Sequence, residues 1–414
     1  MKKNFLFFIF SILTGTSAFS QIDCSGGRYH DSIFSDTVIQ NVLFGQNYNY
    51  DGTTRQLSMD IYFPKGDTAM MRPLIIFAPK GSFLQENKAE LTMVTLCRHF
   101  AQMGYVAAAV DYRVGVDYLT AYQYPEREFT YAVMRAFHDY KAAIRFFRQD
   151  AATINSYKIN PDLIIAGGSS AGAITALHVA YLDKISEIPT SLIDTTGLGG
   201  LEGNSGNQGY SSEVNYVVNL CGAIADTVWM EPGDIPVVSM HGNLDTEVPY
   251  GTATISMIVP IMEVDGSASI NIRAQHAGID NPFYTFWGKT HIPYDENAGG
   301  SYLLYMDTVL TYTTDILYSW ICGGGTFTND IPETDTELNI FPNPSSVLIS
   351  ISSNSGFNDA TFFLYDATGR IAVKMDHING KLFHVSPDSL NKGIYLYRML
   401  TGDNGQYTGK ILIH

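Results

Sequence analysis

Apolar residues recur along this chain in two rhythms that replace one another in order. Leu57-Ser58-Met59-Asp60-Ile61-Tyr62 alternates, as a half-buried strand does, and with Val42 to Thr54 before it predicts a hairpin over residues 39–63. Leu74-Ile75-Ile76-Phe77-Ala78 is continuous, which suits a strand buried on both faces. Residues 88–103 then space Leu91, Val94, Leu96, Phe100 and Met103 as a helix does, and Gly104 breaks the pattern. A buried strand follows at 105–110. A tyrosine-rich connection then leads to a helix from about Glu126 to Gln149. Leu163 to Gly168 is again a continuous apolar run, and Ala173 to Leu182 is again helical in spacing. Strand signals resume at 216–220 and 236–240. A helix near 252–264 and a short strand at 269–272 are expected after them. Strands separated by helices predict a mostly parallel central sheet with helices on both faces, an α/β fold.

Two stretches break the rhythm. Gly197 to Gly209 holds six glycines in thirteen residues and predicts an inserted flap over a site or a surface loop. After Cys322-Gly323-Gly324-Gly325 the chain becomes polar and acidic over 326–337, with Pro332, which reads as a linker. From 338 onward short alternating runs (347–351, 361–365, 394–399, 409–413) predict a small all-β sandwich.

Charge and cysteines narrow the setting. The chain carries 25 Lys+Arg against 41 Asp+Glu, with no basic stripe, so nucleic acid is excluded as a partner. Lys2 and Lys3 precede the apolar run Phe5 to Leu13, and Ala18-Phe19-Ser20 offers a small-x-small cleavage site. Residues 1–20 therefore read as an export signal, and 21–325 as the catalytic unit. That run is too short for a comfortable membrane span, and no other segment reads as one. An exported chain with Cys24, Cys97, Cys221 and Cys322 is compatible with two disulfides. We expect Cys24–Cys97 and Cys221–Cys322, against buried free thiols as the alternative. The spacings match no metal site.

The chemistry centres on Gly168-Ser169-Ser170-Ala171-Gly172. Gly-x-Ser-x-Gly between a buried strand and a helix is the pattern of a nucleophile elbow, and only Ser170, not Ser169, has glycine at both ±2 positions. A serine hydroxyl needs a base, and the base an orienting carboxylate, in chain order Ser, Asp/Glu, His. Asp245 follows the strand 236–240, with Asp226 and Glu247 as rivals. His291, between turn residues, is the candidate base, with His276 as rival, while His99, His138 and His178 read as helix packing or surface residues. Oxyanion donors are expected from the backbone N–H of Ala171 and from Gly81 and Ser82 after the strand 74–78. Tyr112, Tyr118, Tyr122 and Tyr124 are candidates for an aromatic substrate wall, against ordinary loop packing.

These residues carry two resemblances. Asp60-Ile61-Tyr62-x-Pro64, Asp111-Tyr112-Arg113, Gly168-x-Ser170-x-Gly172, His241-Gly242-x-x-Asp245-x-x-Val248-Pro249 and Gly288-x-x-His291 resemble the α/β-hydrolase carboxylesterase/lipase branch. That branch includes hormone-sensitive-lipase-like and feruloyl/acetylxylan esterases. The resemblance implies ester hydrolysis through an acyl-enzyme, with no metal or organic cofactor. The usual His-Gly-Gly-x-Phe is replaced by Pro79-Lys80-Gly81-Ser82-Phe83, which places Lys80 and Phe83 near the mouth of the site. Ile340-Phe341-Pro342-Asn343-Pro344, Leu364-Tyr365-Asp366-Ala367-Thr368-Gly369-Arg370, Gly393-Ile394-Tyr395-Leu396-Tyr397 and Gly409-Lys410-Ile411-Leu412-Ile413 resemble the type IX secretion sorting domain of Bacteroidetes. This implies that residues 338–414 engage that machinery and that the product is secreted or held at the cell surface. Ester substrates, small or polymeric, are the expected partners. A dipeptidyl-peptidase-like serine peptidase and an inactive hydrolase fold used for surface binding are the alternatives.

Overall fold

The computed structural model describes residues 22–323, apart from 258 and 301, and residues 338–413, apart from 343–344, 346–347, 367–370, 388–389 and 402–405. The export signal 1–20, the linker 326–337 and the Asn343-Pro344 and 367–370 parts of the sorting motifs lie outside the described residues.

The chain runs β1 (Ser35–Tyr48), β2 (Thr54–Lys65), β3 (Arg72–Ala78), α1 (Leu91–Gln102), β4 (Val106–Val110), α2 (Tyr118–Gln123), α3 (Pro125–Ala152) and β5 (Ile159–Ser169). It continues through α4 (Ala171–Tyr181), β6 (Tyr216–Leu220), β7 (Ala223–Ile224), β8 (Val237–Gly242), β9 (Thr252–Ser256), β10 (Pro260–Gly266), α5 (Ser267–Ala277), β11 (Phe283–Phe286) and α6 (Tyr302–Cys322). Eight strands form one sheet in the order β1-β2-β4-β3-β5-β6-β8-β11. It is antiparallel at the β1–β2–β4 edge and parallel from β4 onward.

Side-chain alternation divides the core into two layers. Leu74, Ile76, Ile164 and Ala166 face α3 and α4, with Phe137, Tyr140, Ile144 and Leu177. Ile75, Phe77, Ile165 and Val218 face α1 and α6, with Leu96, Phe100, Val309 and Leu317. This is why the central strands read as unbroken apolar runs.

The expectation for 252–272 is corrected. Residues 252–266 are the hairpin β9–β10, joined to β7 in a second small sheet, and 267–277 are helix α5. Thr252, Thr254, Ile255 and Val264 are β-branched, and Pro260 opens a strand rather than sitting inside a helix.

The glycine-rich segment is neither a flap nor a free loop. His138 Nε2 donates to Gly200 O at 2.7 Å, Lys141 Nζ to Leu201 O at 3.1 Å and Arg145 Nε to Gly206 O at 3.0 Å. Gln46 N donates to Ser205 O at 2.9 Å, so the segment is strapped across α3 and β1.

The cysteine pairing is also corrected. Cys24 bonds Cys322, 298 positions away, and Cys97 and Cys221 are buried free thiols. Cys97 sits on the buried face of α1 and Cys221 just past the end of β6, in the same apolar layer. Burial pushes both thiols up, Cys221 to about 12. The bond ties the first described residues to the end of α6.

Beyond residue 338 the chain forms a separate antiparallel sheet. β12 (Asn339–Phe341), β13 (Ile349–Tyr365), β15 (Gly393–Leu400) and β16 (Gln406–Ile413) follow one another in it, and β14 (Ile371–Val385) pairs with β13. Its own core holds Ile351, Phe362, Leu364, Phe383, Met399 and Ile411.

Candidate active site

β5 ends at Ser169, α4 begins at Ala171, and Ser170 makes the turn between them with φ 53° and ψ −119°. A non-glycine residue held there is strained, and the strain lifts its hydroxyl clear of both elements. The turn closes because its flanks have no side chain. A Cβ on Gly168 would lie 2.2 Å from Gly172 C, and one on Gly172 would lie 2.0 Å from Ala78 O. Ser170 N donates to Leu220 O at 2.9 Å, which anchors the elbow to β6.

The loops after β8 and β11 supply the partners. His291 Nε2 lies 2.8 Å from Ser170 Oγ, and His291 Nδ1 donates to Asp245 Oδ2 at 2.6 Å. Gly242 lets the two loops stack: a Cβ there would meet Thr290 O at 2.3 Å, and Leu244 N donates to Lys289 O at 2.9 Å. Asp245 Oδ1 accepts from the backbone N–H of Glu247 at 2.9 Å and of Val248 at 3.0 Å. Its Oδ2 also accepts from His241 Nε2 at 3.0 Å. Burial pushes the Asp245 carboxyl up, but the hydrogen bonds from His241 and His291 outweigh it and hold the group well below the usual carboxylate range.

The structure thus brings Ser170, His291 and Asp245 together and leaves their rivals apart. Ser169 is buried and bonded to Tyr294 Oη at 2.8 Å. Asp226 caps the turn 227–229 through Val228 N at 2.8 Å. Glu247 offers Asp245 its backbone, and His276 is exposed on α5.

His241 is a residue that sequence reasoning missed as part of this site. Its Nε2 faces two acceptors, Asp245 Oδ2 and Val248 O, so it carries the proton, and Nδ1 is left to Ser267 Oγ at 2.7 Å. The signal was its spacing, four residues before Asp245 at the end of a strand.

Ser82 and Ala171 border the same cavity as Ser170 and His291, and neither backbone N–H has an acceptor among the described residues. Gly81 does not border it. The Gly81 carbonyl instead accepts from Leu84 N at 2.9 Å and Gln85 N at 3.1 Å, which folds the turn after β3.

The expected substrate lining is corrected at three positions. Lys80 turns away from the cavity to pair with Asp295 and, at 3.0 Å, with Glu90. Burial lowers the Lys80 ammonium pKa, but the hydrogen bonds to Asp295 and Glu90 outweigh it and raise the group above its ordinary value. Tyr112 is buried and donates to Pro79 O at 2.9 Å, supporting the loop from behind. Tyr118, on the outer side of the short α2, is 69% exposed, and Tyr122 and Tyr124 are exposed with it, so no aromatic wall forms. Phe83 does line the cavity.

Lys80 therefore links the loop that follows β3 to the loop that carries His291. Lys80→Met is expected to lower kcat about 10- to 100-fold through small displacements of the two loops, with KM changed less. Lys80→Arg should restore part of the loss. Steady-state rates on p-nitrophenyl acetate measure this, and equal kcat values for Lys80→Met and wild type would refute it.

The cavity holds about 300 Å³. Its walls are apolar: Phe129 and Val133 from α3, Ile174 from α4, and Ile255, Ile261 and Met262 from the β9–β10 hairpin. Among the described residues no helix is long and apolar enough to cross a membrane.

Two parts of the chain match known families. Residues 59–232 match the BD-FAE family, an esterase-like α/β-hydrolase domain, and residues 339–414 match the secretion system C-terminal sorting domain. The chain is thus a carboxylesterase-like α/β-hydrolase with a type IX sorting tail, which marks it for export to the cell surface or the medium. No curated protein matches it. Among solved structures it is similar to the apo form of Thermogutta terrifontis esterase 2, at 20% identity over 68% of this chain and 94% of that one (TM-score 0.49). The same esterase phosphorylated by paraoxon matches at 20% over 69% and 95% (0.48), and its butyrate-bound form at 18% over 72% and 100% (0.47).

Proposed function

We propose that the chain is an exported serine hydrolase that cleaves carboxylic esters through Ser170, His291 and Asp245. The observation that carries this reading is the continuous hydrogen-bond chain from Ser170 Oγ through both nitrogens of His291 to Asp245 Oδ2. Ser170 Oγ adds to the ester carbonyl carbon as His291 Nε2 takes its proton. Asp245 keeps the His291 Nδ1 proton in place and offsets the charge that forms on the ring. The N–H groups of Ser82 and Ala171 receive the developing oxyanion. As the tetrahedral centre collapses, the alkoxide leaves with the proton from His291 Nε2, and the acyl group stays on Ser170. Water, deprotonated by the same nitrogen, repeats the sequence and frees the acid. Residues 21–325 would form the catalytic unit, and 338–414 would hand it to the type IX machinery across the linker.

A fluorophosphonate probe tests the reading on the full chain. Peptide mass analysis should find one adduct, on Ser170, and prior acylation by a p-nitrophenyl ester should slow its formation. A folded protein that takes no label, or takes it elsewhere, would overturn the proposal.

A further inference from the structure

His178 reads in sequence as a helix packing or surface residue, and it is 5% exposed. Yet it borders the cavity beside Ser170. Its ring is fixed from behind: Nδ1 lies 2.7 Å from Ile174 O, and because a carbonyl can only accept, Nδ1 carries the hydrogen. In the neutral ring Nε2 then holds a lone pair. Trp229 meets the imidazole edge-on, with ring centroids 5.5 Å apart. Burial lowers the His178 pKa to about 4, so the ring is neutral across the working range.

No group among the described residues donates to His178 Nε2, and that nitrogen is not among the polar atoms sealed away from solvent. The other polar side chains around the cavity are the Ser170–His291 pair and Ser82, Glu247 and Ser256, and these last three are exposed. Among the described residues inside the apolar wall, His178 is therefore the polar side chain without a protein partner on one atom.

Its distance from the chemistry is set by the helix. Ser170 caps α4 and His178 lies eight residues on, about 12 Å along the axis. Side chains lean back toward the helix N-terminus, which brings the ring to roughly 7–11 Å from the nucleophile.

We infer that His178 is a specificity-determining residue: its Nε2 accepts a hydrogen bond from a hydroxyl near the far end of the substrate group that fills the cavity. The site thereby selects hydroxylated over plain alkyl esters. The inference rests on the ester-hydrolase reading above. The physical basis is asymmetric. An apolar group that covers His178 strips water from Nε2 and gives nothing back, whereas a hydroxyl at that depth replaces the water. The apolar walls supply binding, and the imidazole supplies the choice.

Two matched pairs test it on the full chain: p-nitrophenyl 8-hydroxyoctanoate against p-nitrophenyl octanoate, and 8-hydroxyoctyl acetate against octyl acetate. In at least one pair the wild type should favour the hydroxylated member by about tenfold or more in kcat/KM. His178→Phe keeps a planar ring but no acceptor and should collapse that ratio toward one, while His178→Gln, which can still accept, should keep part of it. Ratios do not depend on how much of a variant folds. Ratios near one in both pairs for the wild type, or a preference that survives in His178→Phe, would overturn the inference. If p-nitrophenyl acetate is not hydrolysed either, it is the ester-hydrolase reading that has failed.

Discussion

Replacing Asp245 with asparagine lowers kcat by about 10⁴-fold while leaving KM for a small activated ester within a few-fold. The expectation follows from counting donors. Each carboxylate oxygen of Asp245 accepts two hydrogen bonds, Oδ1 from the backbone N–H of Glu247 and Val248, and Oδ2 from His241 and His291. Asparagine offers one oxygen and one NH₂. The backbone donors cannot change, so the amide oxygen must face them and the NH₂ must face the histidines. A histidine can yield by moving its proton to the other nitrogen. His291 would then carry its proton on Nε2, pointing at Ser170 Oγ, and could not act as base. The same variant carries a pH signature. The Asp245 carboxyl is held below its unfolded value of about 3.9 by its hydrogen bonds. Its contribution to stability is therefore full above that value and is lost as pH falls through the lower folded one. The stability gap between wild type and Asp245→Asn should be widest near neutral pH and narrow below about pH 4. Steady-state kinetics and urea unfolding between pH 3 and 8 measure both. A variant with wild-type kcat would exclude Asp245 as the orienting group.

The parts of this molecule that could be read from its sequence are those whose physics is local. The elbow is a strand, a strained turn and a helix that follow one another directly from Ile159 to Tyr181, and the small residues it demands stand next to the serine. Asp245 and His291 could be placed because loops at the ends of strands are where such groups sit. The hairpin over 252–266 could not, because its apolar positions suit a helix or a strand alike, and its pairing with β7 is a long-range fact. α6 has no counterpart in the sequence expectations, since its Tyr, Leu, Thr and Ile residues surround the axis and blur any amphipathic stripe.

The cysteines show the same limit. Which pair meets depends on where the chain ends come together, and spacing says nothing of that. Lys80 and His178 mark a further one. Lys80 stands where a site residue is expected, but its two carboxylates come from positions 90 and 295 and draw it away. His178 stands on a buried helix, and only the folded chain shows that one of its nitrogens is occupied and that the other has no partner among the described residues.

Gly172→Ala is expected to cost about 4 kcal/mol or more of folding stability, one of the largest effects a single methyl can have. The added Cβ would lie 2.0 Å from Ala78 O, 2.5 Å from Ala78 C and 2.8 Å from Pro79 O. All three are backbone atoms, so no side chain can rotate aside. Ala78 ends β3, whose residues are all buried, and it is paired in register with Gly168 of β5. Non-bonded carbon contacts settle near 3.5–4.0 Å, so α4 would have to lift by about 1–1.5 Å. Lifting α4 opens the second close approach, Gly168 against Gly172, and draws Ser170 from His291. Stability and chemistry thus rest on one constraint: the packing that forces glycine at 168 and 172 also sets the height of the hydroxyl. Urea unfolding of the full chain measures the first effect, and the fluorophosphonate labelling rate of the folded fraction measures the second. Gly251→Ala, where the nearest heavy atom is Ser269 Oγ at 4.0 Å, serves as the control and should stay within about 0.5 kcal/mol of wild type. If Gly172→Ala unfolds within about 1 kcal/mol of that control, residues 78–79 yield to the helix, and the elbow is not the rigid element this reading requires.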